Sequence, residues 1–313
     1  MSIQPEPAGA HHIQASAFRA SVSTAPDARF RPERGRYHLY VMPGCPWAHR
    51  TLIGHALKGL DGVVGITAVH HRLHAGEGWV FAPERPDPLY GATHLRQLYQ
   101  RAAPGYGGRV TVPVLWDRQH ETIVSNESSD ILRMFALAFD GLARHPDEDL
   151  YPLPLRPEIE RWNARIQADI NEGVYRAGFA TGQQAHEQAV WRLFDALDLL
   201  EVHLAGHRYL AGDERPTEAD WRLLPTLLRF DVVYHGLFKC NLRRLVDYPN
   251  LWAYARSLYQ WPGIAATVDH AVIRDSYWGG MRHLNPNGII PLGPLPDWNG
   301  PHGRGGRGGR RLA

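Results

Sequence analysis

A cysteine set between a strand-like run and a helix constrains this chain more than any other feature. Tyr37-His38-Leu39-Tyr40-Val41-Met42 reads as a strand, Pro43-Gly44 breaks it, and Cys45 follows at once. Pro46 suits the first turn of a helix, and Leu52, Ile53, Ala56, Leu57 and Leu60 recur at helical spacing until Gly62 closes the segment. Val63 to Val69 reads as a second strand, so the order is that of a β-α-β unit. Cys45 then stands at a helix N-terminus, where backbone N–H groups and the macrodipole favour an anion and stabilise its thiolate at neutral pH. Three residues on, where a dithiol oxidoreductase carries its second cysteine, the chain has Ala48. With no resolving thiol of its own, such a site forms a mixed disulfide with a small-molecule thiol and needs a second one for release.

Further along, residues 70–92 are rich in aromatics, His and Pro without a clean period, which predicts a long functional loop. A short helix is expected around His94 to Arg101, then a hairpin from Val112–Trp116 and Glu121–Val124, then a helix capped by Ser125–Ser129 and running past Phe135. Val112-Pro113 suggests a cis-proline before an edge strand, leaving the Val112 backbone to pair with an extended peptide-like ligand. Glu127 and Ser128 at a helix start would grip an α-amino acid group. A thiolate, a peptide-pairing edge and an amino-acid grip together describe a γ-glutamyl-cysteinyl-glycine site, in the order of a thioredoxin-like domain. After the Pro-rich connector Tyr151–Pro157 the pattern turns almost wholly helical. Ile159 through Val174 and Val190 through Leu204 read as two long amphipathic helices, and Thr217 with Asp220 resembles a capping box ahead of a buried helix from Trp221 to Val233. Asp220 is therefore read as structural.

Composition narrows the partners. Lys plus Arg number 34 against 32 acidic residues, a net charge of +2, so no global field marks a nucleic-acid binder. No apolar run approaches the ~18–20 residues of a membrane span, and the first residues lack a secretion signal. Two distant cysteines exclude a disulfide framework and a four-cysteine zinc site, and fit a reducing cytoplasm. No metal is expected: His70, His71 and His74 read as solvated or packed on aromatics. Cys240 reads as a structural thiol, and the Arg304–Arg311 Gly/Arg repeat as a solvated tail.

Over approximately residues 36–292 the sequence resembles the glutathionyl-hydroquinone reductases, the Xi class of the glutathione transferase superfamily. The CPWAH segment from Cys45, the SNESS segment from Ser125 and Phe238-Lys239-Cys240-Asn241 carry the likeness, with further matching stretches at Asp87–Ala92, Asn171–Gly182 and Thr217–Leu224. The resemblance implies an α/β plus all-α architecture, a thioredoxin-like N-terminal domain followed by an all-helical C-terminal domain. The expected boundaries are a flexible extension over 1–35, a thiol-binding domain over 36–150, a helical domain over 157–285 and a C-terminal extension over 286–313. It further implies a cytoplasmic homodimer that binds no cofactor tightly, uses glutathione as co-substrate and removes glutathione from glutathionyl-hydroquinones. Residue by residue, it makes Cys45 the nucleophile, Trp79 a wall for the glutathione and Arg109 a partner for its glycyl carboxylate. Val112 would pair with the cysteinyl backbone, and Glu127 with Ser128 would hold the γ-glutamyl end. Tyr175, Tyr234 and Tyr277 would come from the helical domain to face the quinol. The chain departs from the class at Pro43-Gly44, where larger or apolar residues are more usual, and in its Arg/Gly tail. Only Lys58 and Lys239 are lysine, a bias of GC-rich genomes, which keeps mycothiol as an alternative donor. A general conjugating or thiol transferase and a catalytically silent binding protein are the rival functions.

Overall fold

Strand β1 (Tyr37–Val41) is buried along its whole length, because it lies inside a four-stranded sheet. It runs parallel to β2 (Val64–Ala68), with Leu39 opposite Ile66, and antiparallel to β3 (Val114–Asp117), with Leu39 opposite Leu115. β3 pairs antiparallel with β4 (Thr122–Ser125), giving the order β2-β1-β3-β4. The crossover from β1 to β2 is α1 (Pro46–Lys58), which ends at Gly59 with φ +59°, a left-handed turn that glycine adopts without strain. Helix α1 packs on α3 (Ser128–Leu137) so closely that a Cβ at Gly54 would come within 2.6 Å of Leu132. Between β2 and β3 lie a long loop without regular structure and α2 (Leu95–Ala102). These elements form the thioredoxin-like half of an α/β plus all-α fold.

The computed structural model describes residues 8–12, 14–74 and 76–305. The chain divides into two compact units. One is Ala15–Tyr151 with Pro262–Met281, and the other is Pro152–Trp261 with the described residues of Met1–Gln14 and Arg282–Ala313. This differs from the expected division in three places. Residues 15–35, expected as a flexible extension, are packed on the sheet-containing unit, with Ser16 to Val22 along β4: the Ala20 N–H donates to the Val124 carbonyl at 2.9 Å, the Asn126 N–H donates to the Phe18 carbonyl at 3.1 Å, and Arg19 pairs with Asp130 at 2.7 Å. Val22 and Phe30 are buried there. An edge strand offers unpaired backbone groups, and this segment covers them. Residues 262–281, expected in the helical domain, belong instead with the sheet. The third place is Arg304, expected in a solvated tail. Arg304 is buried and donates to the carbonyls of Leu204, His207 and Arg208 at 3.2, 2.6 and 2.8 Å, closing the C-terminus of α6 (Gln183–Gly206). A guanidinium at that end meets both the orphan carbonyls and the negative pole of the helix. Arg307, Arg310 and Arg311 lie outside the described residues.

The helical unit holds α4 (Arg156–Ile166), α5 (Gly173–Phe179), α6, α7 (Glu218–Arg229) and α8 (Pro249–Tyr259). The expected single helix over 159–174 is interrupted by a π-helical turn at Gln167–Asn171, and the run to Val233 ends in another at Phe230–Tyr234. A third, Asp275–Gly279, follows α9 (His270–Arg274) in the sheet-containing unit. Ile159, Trp162, Ile166, Ile170 and Val174 keep three- and four-residue spacing across the first of these turns, so the apolar pattern does not mark it. Asp220 is wholly structural. It accepts from the Thr217 N–H at 2.7 Å, the Leu210 N–H at 2.9 Å and the Tyr254 hydroxyl at 2.7 Å, while burial pushes its carboxyl upward against those bonds. Among the described residues no helix is long and apolar enough to cross a membrane.

Candidate active site

Cys45 is the N-cap of α1, half-buried, with extended backbone angles of −75° and 125°. Its N–H donates to the Met42 carbonyl at 2.9 Å, and its carbonyl accepts the first helical bond from His49 at 3.0 Å. The thiol Sγ lies 3.9 Å from the Val112 carbonyl, so the cysteine and the Val112-Pro113 corner meet. That peptide bond is cis, as the sequence suggests. The strand after it is not an edge, however: β3 lies between β1 and β4, and Val112 itself is buried. Asn126 holds this corner from behind, donating to the Thr111 hydroxyl at 3.0 Å and the Tyr99 hydroxyl at 3.1 Å.

The second cluster sits at the start of α3. Glu127 is its N-cap, and its Oε1 accepts from the Ser129 N–H at 3.2 Å and the Ser129 hydroxyl at 3.0 Å. Burial works to raise this carboxyl, but hydrogen bonds from Ser16 and Ser129 and the nearby Arg50 charge hold it below the usual carboxylate range. Ser128 is buried, and its hydroxyl accepts from Arg50 at 3.3 Å. An ionised carboxylate, a hydroxyl and a helix N-terminus at one place suit the ammonium and carboxylate of an amino acid.

Tyr277 stands in the sheet-containing unit, because the segment around it is tied to the long loop. Asp275 accepts from Arg72 at 2.7 Å and from His71 at 2.6 Å, and the His70 and His71 rings stack at 4.4 Å. A Cβ on Gly44 would collide with the Ser276 hydroxyl, so the residues beside Cys45 and Tyr277 are in contact. Tyr175 and Tyr234 come together in the helical unit, with ring centroids 6.0 Å apart and Phe238 packed on both. Tyr234 ends one π-helical turn and Tyr277 lies inside another. Trp79 is half-buried against the sheet's core in the long loop, and Arg109 is exposed in the loop before Val112. Among the described residues no hydrogen bond or ring contact joins either of them to the clusters above.

Comparison with known proteins follows the same outline. A family model described as Glutathione S-transferase, N-terminal domain matches residues 44–138, and one described as Glutathione S-transferase, C-terminal domain matches residues 183–257. The chain is 50% identical over 272 residues to the glutathionyl-hydroquinone reductase PcpF of Sphingobium chlorophenolicum, covering 86% of each. Among solved structures it resembles an Xi class transferase from Natrialba magadii, with TM-score 0.91, 46% identity and coverage of 94% of this chain and 92% of that one. The chain belongs to the Xi class of the glutathione transferases. It is also similar to the glutathione-bound YqjG of Escherichia coli K-12, with TM-score 0.87, 47% identity and coverage of 92% and 96%.

For this Xi-class chain, the glycine before Cys45 has a local reason. Any side chain at 44 would collide with Ser276 and with Met42 Sδ, so glycine is what lets the Tyr277 segment approach Cys45. Two polar residues escaped the sequence reading. Arg50 is almost fully buried and stacks 4.5 Å from the Trp47 ring centroid; it shares a helix face with Ile53 and Leu57, a phase that does point inward. Ser16 lay in the stretch expected to be flexible, and no local pattern marks it.

Proposed function

We propose that this enzyme removes glutathione from glutathionyl-hydroquinones through a mixed disulfide on Cys45, which a second glutathione releases as oxidised glutathione. The observation that carries the reading is Cys45 itself. It is an accessible thiol at a helix N-terminus, beside a backbone corner suited to a cysteinyl peptide, with alanine where a resolving cysteine would stand. In the first step a proton is placed on the ring carbon that bears sulfur, giving the keto tautomer. The Cys45 thiolate then attacks that sulfur. The S–S bond forms, the C–S bond breaks, and its electron pair leaves as an enolate that takes a proton to become hydroquinone. The ring carbon is reduced and the two sulfurs are oxidised to a disulfide. A second thiolate attacks the mixed disulfide, restoring Cys45.

In this reading Trp79 walls the glutathione, Arg109 meets its glycyl carboxylate, Val112 pairs with its cysteinyl backbone, and Glu127 with Ser128 holds the γ-glutamyl end. Tyr175, Tyr234 and Tyr277 donate to the hydroquinone oxygens and ring carbon, as phenols are able to do. The enzyme works as a homodimer in the cytoplasm. The glutathione-bound relative supports glutathione over mycothiol as the donor. A conjugating transferase would activate glutathione with Ser or Tyr at position 45, so cysteine there disfavours that rival. The test is to supply a glutathionyl-hydroquinone with either glutathione or mycothiol and follow hydroquinone and disulfide together. Equal release of both with glutathione is expected. Conjugation of an electrophile without hydroquinone release would replace this reading with the transferase one.

A further inference from the structure

The carboxylate of Glu127 is met by a residue more than a hundred positions away. The segment from Ser16 to Val22 runs antiparallel to β4, fixed by the Phe18 and Ala20 backbone bonds and by the Arg19–Asp130 pair. The Phe18 N–H donates to the Asn126 side chain at 3.0 Å. At its start, the Ser16 hydroxyl donates to Glu127 Oε2 at 2.9 Å, with the Asn126 carbonyl farther away at 3.4 Å. Ser129 supplies two donors to Oε1. An ionised carboxylate accepts about four hydrogen bonds, so three internal donors leave one direction open.

We infer that Ser16 is a positioning residue of the thiol-donor site, holding Glu127 so that its remaining acceptor faces the ammonium of a γ-glutamyl-type donor. The N-terminal segment is then part of substrate recognition and not merely a cover for an edge strand. This rests on the reading of Glu127 given above. The groups whose charge reaches Glu127 are Arg50 from α1 and Arg19 from the segment itself, the latter paired to Asp130 on α3. Burial opposes ionisation of Glu127, and the Ser16 bond is the foremost contribution holding its carboxyl down. Without it the carboxyl titrates at higher pH. Because the ammonium needs the carboxylate, donor binding is then lost earlier as pH falls.

Steady-state kinetics of Ser16→Ala, Ser16→Thr and Glu127→Gln in the full chain test this. Ser16→Ala should raise KM for glutathione about three- to ten-fold at unchanged kcat, the range of one ordinary net hydrogen bond, because Ser16 acts on the donor only through Glu127. The acid limb of kcat/KM should move to higher pH, and Ser16→Thr should restore both. If Glu127→Gln raises KM but Ser16→Ala moves neither KM nor the acid limb, the inference is wrong and the reading of Glu127 stands. If neither variant raises KM, the γ-glutamyl reading fails and takes the inference with it. A Ser16→Ala protein that only melts earlier, with normal KM, shows the contact to be structural and also overturns it.

Discussion

Cys45 and Cys240 carry the same group in opposite surroundings. Cys45 caps a helix, is half-buried, and touches the backbone just before an interior strand. Cys240 is fully buried, its Sγ 3.9 to 4.0 Å from the carbonyls of Phe238 and Val174, and burial pushes its thiol well up from the ordinary range. The first location sets the thiol at a helix N-terminus and leaves it partly exposed, whereas the second seals it from solvent and disfavours its charged form. Yet the Cys240 region is not idle: its N–H donates to the Tyr234 carbonyl at 3.0 Å, beneath the ring cluster of Tyr175, Tyr234 and Phe238. One thiol stands half-buried at a helix start and the other lies fully buried beside an aromatic cluster, so the same group meets opposite surroundings.

The largest expected effect comes from exchanging the reactive sulfur. Cys45→Ser should lower hydroquinone release by at least about a thousand-fold while leaving the fold intact, as removal of a nucleophile does. Iodoacetamide at neutral pH should label Cys45 and spare the buried Cys240 in the folded protein. Equal labelling of the two would erase the contrast. The tyrosines come next. Replacing Tyr175, Tyr234 or Tyr277 by Phe should depress hydroquinone release on the order of a hundred-fold, the scale of a lost proton donor, while sparing reduction of a simple mixed disulfide. Parallel loss in both assays would show that they only shape the pocket. Smaller still, Glu127→Ala and Ser128→Ala should raise KM for glutathione by a factor matching about 1–3 kcal/mol each, with less change in turnover. Cys240→Ser should do least to catalysis: a buried hydroxyl in place of the thiol costs about 1–2 kcal/mol of stability, and activity per folded molecule stays near that of the parent.

The helix starts at Cys45 and Glu127 were legible because their signals are local. A strand, a turn and Cys45-Pro46 mark the start of α1, and Ser125 to Ser129 mark the start of α3, since caps and breakers act over a few residues. Position within the sheet was not legible. Val112-Pro113 looks the same ahead of an edge or an interior strand, and only the pairing of β3 with both β1 and β4 decides it. The long-range contacts were invisible for the same reason. Ser16 on Glu127, Ser276 against Gly44 and Arg304 on the end of α6 each join segments far apart in sequence, and none requires a periodic pattern. The π-helical turns that carry Tyr234 and Tyr277 hide within ordinary helical spacing.

A single-turnover trapping experiment bears most directly on the account. Enzyme in excess is mixed with a glutathionyl-hydroquinone and no other thiol, quenched with acid, and mapped by mass spectrometry while hydroquinone is quantified. The account predicts glutathione in disulfide linkage to the peptide that carries Cys45, formed in step with hydroquinone and discharged when glutathione is added. Hydroquinone released without that adduct, or glutathione found on Cys240 instead, would contradict it.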